Sequence, residues 1–340
     1  MTRLSRRPLL GGLAAAATLG LARPARAAGT VSAAIYPGAW EDAFRSLVAP
    51  ALKARHDVTL EMQPLFAVDQ IAKARATRGA AAFDCFVLDP GPRITAMDGR
   101  LFAPFDPSKL SNLSKLPAGF ADAQGVTCAA QVVGIAYNPR KVPPPTSWTD
   151  LFKEPWVSRL GLTGFQTTFG TVSIIEIAKQ FGGSETDVEP FFTEIRKVLP
   201  KIATIGAPAA MPGLFQQGQC DVMYTNTQAV ATLKSRGVDI EFAKPASGAV
   251  AFFTTLHIAR NASNVENAYK YIDTVISAEI QTALMGPPNN FIPVNSDVVL
   301  TPDLPMKTLA EMAAFVRHDW AKINPLRAGW IERFNREVAK

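Results

Sequence analysis

The sequence predicts an α/β protein in two halves, each a mainly parallel sheet flanked by helices. Three observations carry this expectation. Strand-like and helix-like periodicities alternate along the chain. Pro and Gly punctuate the points where strands stop, as in "YPGAW" and "LDPGPR". Two extended apolar segments, near residues 129–133 and 249–255, lie where the halves would join.

The elements follow in order. "TVSAAIY" reads as a strand, and a helix runs on to about Lys53. "DVTLEMQPL" is a strand and "AVDQIAKARATR" a helix; "AFDCFVLDPGP" is a buried strand stopping at Pro-Gly-Pro, before a short helix in "ITAMDGRL". The rhythm then changes: "GVTCAAQVVGIAYNPRKVPPPTSWTDLF" is extended and ends in a proline run. A second set begins with strand "RLGLTG", turn "FQTTFG" and helix "TVSIIEIAKQFGG". Helices "VEPFFTEIRKVLPKI" and "MPGLFQQGQ", strand "CDVMYTNT" and helix "QAVATLKSRG" complete it. Extended "AVAFFTTLHIA" and helix "NVENAYKYIDTVIS" follow, and residues 305–340 read as helical. In α/β sheets ligands gather at the carboxyl ends of strands, where "YPGAW" and "LDPGPR" fall.

Residues 1–27 read as an export leader. They have a basic head, an apolar middle and a small-residue exit, and Arg6-Arg7 stand in a twin-arginine frame. The apolar run from Pro8 to Ala22 is short for a bilayer span. The whole chain is formally +6, but five arginines and no acid lie in the leader, so the remainder is +1. With no Lys/Arg run, a nucleic-acid partner is not expected. The three cysteines, Cys85, Cys128 and Cys220, form no C-x-x-C pair and suggest neither a disulfide scaffold nor a zinc site. An oxidising compartment would permit one bridge between two of them, and spacing does not select it.

Catalytic signatures are missing. The three histidines, His56, His257 and His318, stand in unrelated contexts. There is no H-E-x-x-H, no G-x-S-x-G elbow and no G-x-x-x-x-G-K-[ST] phosphate loop. No enzymatic activity and no cofactor are expected; an exported enzyme without a recognisable motif stays as an alternative.

Taken together, "FDCFVL", "FAPFDPSKLSNLSKLP", "GIAYNPRKVPPPTSWTDLFKEPWVSRLGLTG", "CDVMYTNTQAV", "ENAYKYIDTVIS" and "FIPVNSDV" give the chain its resemblance. In this order and spacing they resemble the extracellular solute-binding family 1, within it the spermidine/putrescine-binding periplasmic receptors of ABC transporters. The resemblance implies a type II periplasmic-binding-protein fold: two lobes joined by two crossover segments, closing on a small-molecule solute. It also implies periplasmic location, inner-membrane permease subunits as partners, and a monomer. The lobes are expected at residues 28–130 with 254–297, and 131–253 with 298–340.

The family's polyamine site places acids in three loops. Here those loops read Tyr36-Pro37-Gly38, Gly164 to Thr168, and Phe252-Phe253-Thr254, with no acid. Buried ammonium groups need carboxylates, so a polyamine ligand is an alternative. A ferric-ion receptor is another, although the five tyrosines include no Tyr-Tyr pair. The expected ligand is a small organic solute with a carboxylate or phosph(on)ate group. Thr167, Thr168 and Gln166, at the start of a helix, offer hydroxyl, amide and backbone N–H donors for the anion. Arg93 would reach the anion or pair with Asp89, the one carboxylate in a candidate loop. Tyr36, Trp40, Tyr224 and Phe252 would form aromatic walls, with Asn226 and Thr254 supplying hydrogen bonds.

Overall fold

The computed structural model describes residues 29–302 and 304–339. The predicted leader lies outside them. Ten strands form one sheet: β1 (Thr30–Ile35), β2 (Thr59–Pro64), β3 (Cys85–Leu88), β4 (Ala121–Asp122), β5 (Gly125–Tyr137), β6 (Leu160–Leu162), β7 (Thr204–Ile205), β8 (Val222–Asn226), β9 (Glu241–Ala243) and β10 (Val250–Ile258). The helices are α1 (Ala39–Ala43), α2 (Ala49–His56), α3 (Ala67–Ala76), α4 (Pro90–Asp98), α5 (Thr168–Gln180), α6 (Glu189–Val198), α7 (Met211–Gln216), α8 (Thr227–Ser235), α9 (Val265–Val275), α10 (Ala278–Met285) and α11 (Trp320–Glu337). A π-helical turn, Phe44–Val48, links α1 to α2. Among the described residues no helix is long and apolar enough to cross a membrane.

The strand order is β2-β1-β3-β10-β5-β8-β6-β7, with β4 and β9 beside β5. β2, β1 and β3 are mutually parallel, as are β8, β6 and β7. The antiparallel pair β5–β10 stands between the two sets. The extended segments expected from sequence are parts of these two long strands. Each strand changes partners along its length. β10 pairs with β3 through Thr255–Ile258 and with β5 from Val250. β5 pairs with β8 only from Val133 onward.

This offset turns the two parallel sets towards one another. Leu88, the end of β3, lies opposite Thr255, and Asn226, the end of β8, lies opposite Val133. Both sets therefore run towards the middle of the β5–β10 pair and stop on either side of it. The helices that follow them begin there too, which directs the N-termini of α3, α4, α5 and α8 at one region.

Two large apolar clusters flank that middle. One contains Val31, Phe44, Val87, Leu256 and Tyr271; the other contains Trp148, Ile174, Phe165, Phe191 and Phe334. A third lies behind the long strands and gathers Ala130, Val132, Ala251, Ile292 and Phe315. The helical expectation for residues 305–340 holds only in part. After a 3₁₀ turn at Leu309–Ala314, residues 315–319 are extended. Ala251 donates its N–H to the Val316 carbonyl at 2.9 Å, and Val316 donates to Ala249 at 3.0 Å. Here β10 has β5 on one side and an open edge on the other, and Val316 satisfies that edge. The expected stop at Pro-Gly-Pro is also shifted, since Pro90 opens α4, a position where proline lacks no needed N–H.

All three cysteines are buried free thiols. Burial pushes the Cys220 thiol up to about 12. His257 is a core residue on β10, stacked on Phe102 at 4.0 Å. Its Nδ1–H donates to the Gln124 carbonyl at 2.8 Å, so Nε2 accepts from Thr255 Oγ1 at 2.7 Å. Burial holds its pKa down at about 3.

Asp84 ties the first set together. Its carboxylate accepts the N–H groups of Ser32 at 2.8 Å, Ser263 at 2.8 Å and Asn264 at 3.3 Å. Replacing it strands buried donors, each costing about 1–3 kcal/mol. Asp84→Ala is expected to lower unfolding stability by about 3 kcal/mol or more, measured by urea denaturation. A loss within about 0.5 kcal/mol of zero would contradict this role.

Candidate functional site

A cleft of about 400 Å³ lies where the strand ends meet. Eight of the residues expected from sequence line it: Tyr36, Trp40, Asp89, Gln166, Thr167, Thr168, Asn226 and Phe252. They come from both sets of strands and from β10, so only the tertiary fold brings them together.

The "YPGAW" turn requires its glycine. Gly38 has φ 79° and ψ −129°, a region open essentially to glycine alone. The chain can then enter α1 directly, leaving Tyr36 at the end of the sheet and Trp40 in the first turn. Tyr36 faces the cleft edge-on to Trp40, with ring centroids 5.6 Å apart. Its phenol oxygen accepts the Asp89 N–H at 3.0 Å. Burial, and then the Asp89 charge, push the phenol well above its ordinary range. Trp40 is mainly a core residue: it is 7% exposed, stacks on Phe44 and meets Phe291 at 4.5 Å. It shows only an edge to the cleft.

Asp89 is the polar centre of the floor. Its Oδ1 accepts from Thr254 Oγ1 at 2.9 Å, and its Oδ2 from Thr168 Oγ1 at 3.2 Å. Burial raises the carboxyl above its ordinary value. The Thr254 and Thr168 hydroxyls, then the Arg327 charge, oppose that rise. A polar chain continues from Thr254, which accepts from Gln131 Nε2 at 3.1 Å; Gln131 in turn accepts from Asn226 Nδ2 at 2.8 Å. Asn226 also caps α8, its Oδ1 accepting from Ala229 N–H at 2.8 Å.

The α5 N-terminus differs from expectation in detail. The helix begins at Thr168, and Thr167 is its N-cap, with Oγ1 accepting from Gly170 N–H at 3.1 Å. That oxygen is therefore engaged as a cap. The Thr168 hydroxyl, expected to serve an incoming anion, reaches the chain's own Asp89 instead. Gln166 donates to Asn335 Oδ1 at 3.1 Å. Gly170 is needed here, because a Cβ would sit 2.2 Å from the Gly164 carbonyl oxygen.

Three expected residues lie off the cleft lining. Arg93 pairs with Asp122 at 2.5 Å and lines a separate crevice with Phe253 and Arg317. The first turn of α4 directs it away from Asp89. Tyr224 is buried in the core and donates to the Thr163 carbonyl. Its β8 neighbours alternate faces, and its ring falls on the core side. Thr254 lies behind the wall, orienting Asp89 and Gln131.

Sequence reasoning missed Arg327, Gln131, Gln228, Phe66, Val68, Pro92 and Phe169. Arg327 matters most. It projects from α11, with Nε donating to the Phe165 carbonyl at 2.9 Å and Nη2 to Gln166 at 2.7 Å. Burial pulls its pKa down, and the Asp89 charge acts the other way; it remains a cation at neutral pH. A signal existed: Arg327 follows Ile323 by four and precedes Phe334 by seven, a charge on the helix's buried stripe. Gln131 was similarly visible as the lone amide in "TCAAQVVGIA". Phe66 and Val68, 60% and 75% exposed, follow the carboxyl end of β2 as "YPGAW" follows β1.

No group of three or more His, Cys, Asp or Glu side chains that could hold a metal occurs among the described residues. Among the described residues the cleft lining holds one carboxylate, one guanidinium, four amides and an aromatic-rich wall. That chemistry can bind a small polar organic molecule.

These features define a solute-binding protein. The model of the bacterial extracellular solute-binding protein family matches residues 47–314, and the chain belongs to that family. It is 26% identical over 192 residues to the spermidine/putrescine-binding periplasmic protein of Escherichia coli K12. That match spans 52% of this chain and 53% of the relative, about half the length of the curated relatives it matches. Its fold is that of type II periplasmic binding proteins. A putative extracellular solute-binding protein from Bordetella parapertussis superposes with TM-score 0.76 at 15% identity, covering 91% of this chain and 99% of that one. An ABC transporter protein from Clostridium perfringens gives 0.75 at 20% identity, with 91% and 99% coverage.

Thr168→Val removes a hydroxyl donor from Asp89 without changing side-chain volume much. The Asp89 carboxyl is expected to titrate higher still in this variant, read by carboxylate NMR. An unchanged or lower titration midpoint would mean that Thr168 does not hold the ionised form.

Proposed function

We propose that this chain is the periplasmic, monomeric substrate-binding component of an ABC transporter. Residues 1–27 export it through the twin-arginine route, and inner-membrane permease subunits receive its solute. The solute is a small organic molecule bearing a carboxylate or phosph(on)ate. One observation carries this reading: a cleft bounded by strand ends from both parallel sets, across two continuous long strands. Four helix N-termini directed at it favour negative charge, and Arg327 adds a fixed cation.

The lobes follow the apolar clusters. Residues 28–130 with 254–297 enclose one, and 131–253 with 298–340 enclose the other. Ile292, Val294, Met306, Met312 and Phe315 pack behind the long strands. Bending of β5 and β10 would part the lobes, and a ligand touching both would favour closure. Gln228, which donates to the Asn289 carbonyl at 3.0 Å, and Thr168, bonded to Asp89, already bridge them.

The polyamine reading takes support from the named relatives. It is disfavoured by the lining, in which a single carboxylate faces a guanidinium.

The test is to identify by native mass spectrometry what the exported protein retains, and to titrate the refolded protein with it. A bound organic acid whose affinity falls about tenfold or more in Phe252→Ala or Arg327→Gln, with scattering that reports compaction on binding, is expected. A retained polyamine, or binding unaffected by both substitutions, would overturn the reading.

A further inference from the structure

Among the described residues, Asp89 and Arg327 are the only Asp, Glu, Lys or Arg side chains lining the cleft. They enter from different elements, the N-cap of α4 and the middle of α11. Each feels the other's charge, yet no hydrogen bond or ion pair joins them among the described residues. The cleft is thus formally neutral but polarised, with a negative and a positive pole sharing one aromatic enclosure.

Both poles are held and still incomplete. The Asp89 carboxylate accepts the Thr254 and Thr168 hydroxyls and has the Tyr36 phenol as a third side-chain partner, and of its roughly four acceptor positions one is left for a further donor. The Arg327 guanidinium is anchored by two main-chain carbonyls through Nε and Nη2. Its Nη1 donors make no bond within the described chain. Phe66, Phe169, Phe252, Tyr36 and Trp40 lie around them, suited to an apolar or flat spacer and to an ammonium against a ring face.

From this we infer that the solute is a zwitterion: an amine seated at Asp89 and a carboxylate at Arg327, joined by a short apolar or flat spacer. The inference rests on the receptor reading above and narrows its ligand class. A plain organic acid would satisfy Arg327 while burying Asp89 without a cation. A diamine or polyamine would satisfy Asp89 and meet Arg327 as a like charge. Leaving either buried charge uncompensated costs affinity, so the two poles reject single-charge ligands as well as attract doubly charged ones.

Calorimetric titration of refolded, ligand-free protein with two matched trios tests this. One trio is 4-aminobutyrate, butyrate and butylamine; the other is phenylalanine, 3-phenylpropionate and phenethylamine. In at least one trio the zwitterion is expected to bind about tenfold or more tightly than both partners. Asp89→Asn should bring the zwitterion down to the affinity of the acid without weakening the acid. Arg327→Gln should bring it down to that of the amine. Apo melting curves check that each variant folds, and the wild-type comparison is decisive by itself. An acid that binds as tightly as its zwitterion overturns the inference while leaving an anion receptor intact. Binding by no member of either trio also overturns it, and the retained-ligand experiment then judges the receptor reading separately.

Discussion

The antiparallel pairing of β5 with β10 is the constraint on which the molecule depends. Each long strand belongs to one parallel set over part of its length and serves the junction over the rest. Because the pair is offset, the two sets approach head to head, not side by side. Strand ends and helix N-termini then face a common space. The register of the pair shifts between Thr254 and Thr255, where β10 changes partners. The extra residue at this bulge is Cys128 of β5, which pairs with no β10 residue and lies against the Thr254 carbonyl, next to the side chain that holds Asp89.

The floor of the cleft is a continuous polar chain in an apolar surrounding. From Asn226 through Gln131 and Thr254 to Asp89, each donor has an acceptor. Low local dielectric makes such a chain rigid when complete and costly when broken. Its members come from β8, β5, β10 and the start of α4, so the chain ties both strand sets to the junction. Thr168 extends it to α5. The same bonds that steady the junction therefore orient the carboxylate that faces the cleft.

Charge is used differently elsewhere. Glu176, in the interior of α5, is held below the ordinary carboxyl range: burial alone would raise it, but His318 and Lys179 outweigh that. His318 approaches Glu176 at 3.2 Å, which secures the extended residues before α11 against α5. α11 then reaches across to α4, where Asn324 donates to Thr95 Oγ1 at 3.0 Å. Gly91 permits that approach, since a Cβ there would lie 3.1 Å from Trp320 and Asn324 atoms. Arg327 enters the cleft as a consequence of this crossing.

The alternation of apolar periods and the Pro-Gly stops, local properties of neighbouring residues, determined seven of the ten strands, most helices and the two extended segments, but not the short strands β4, β7 and β9. They also marked Tyr36, Asp89, Gln166, Thr167, Thr168 and Asn226, because each stands beside a strand end; Phe252, inside β10, was marked by the family resemblance. Position beside a strand end did not decide which way a side chain points. Arg93 follows Asp89 by four residues yet turns to Asp122, and Tyr224 falls on the core face of its strand. Helical periodicity likewise could not reveal that residues 315–319 complete the edge of β10, since a backbone edge is made by a strand distant in sequence. Arg327 lies 238 residues after Asp89, and no local pattern links them. Only the crossing of α11 over α4 brings the two charges to one cleft, because electrostatic partnership depends on distance in space.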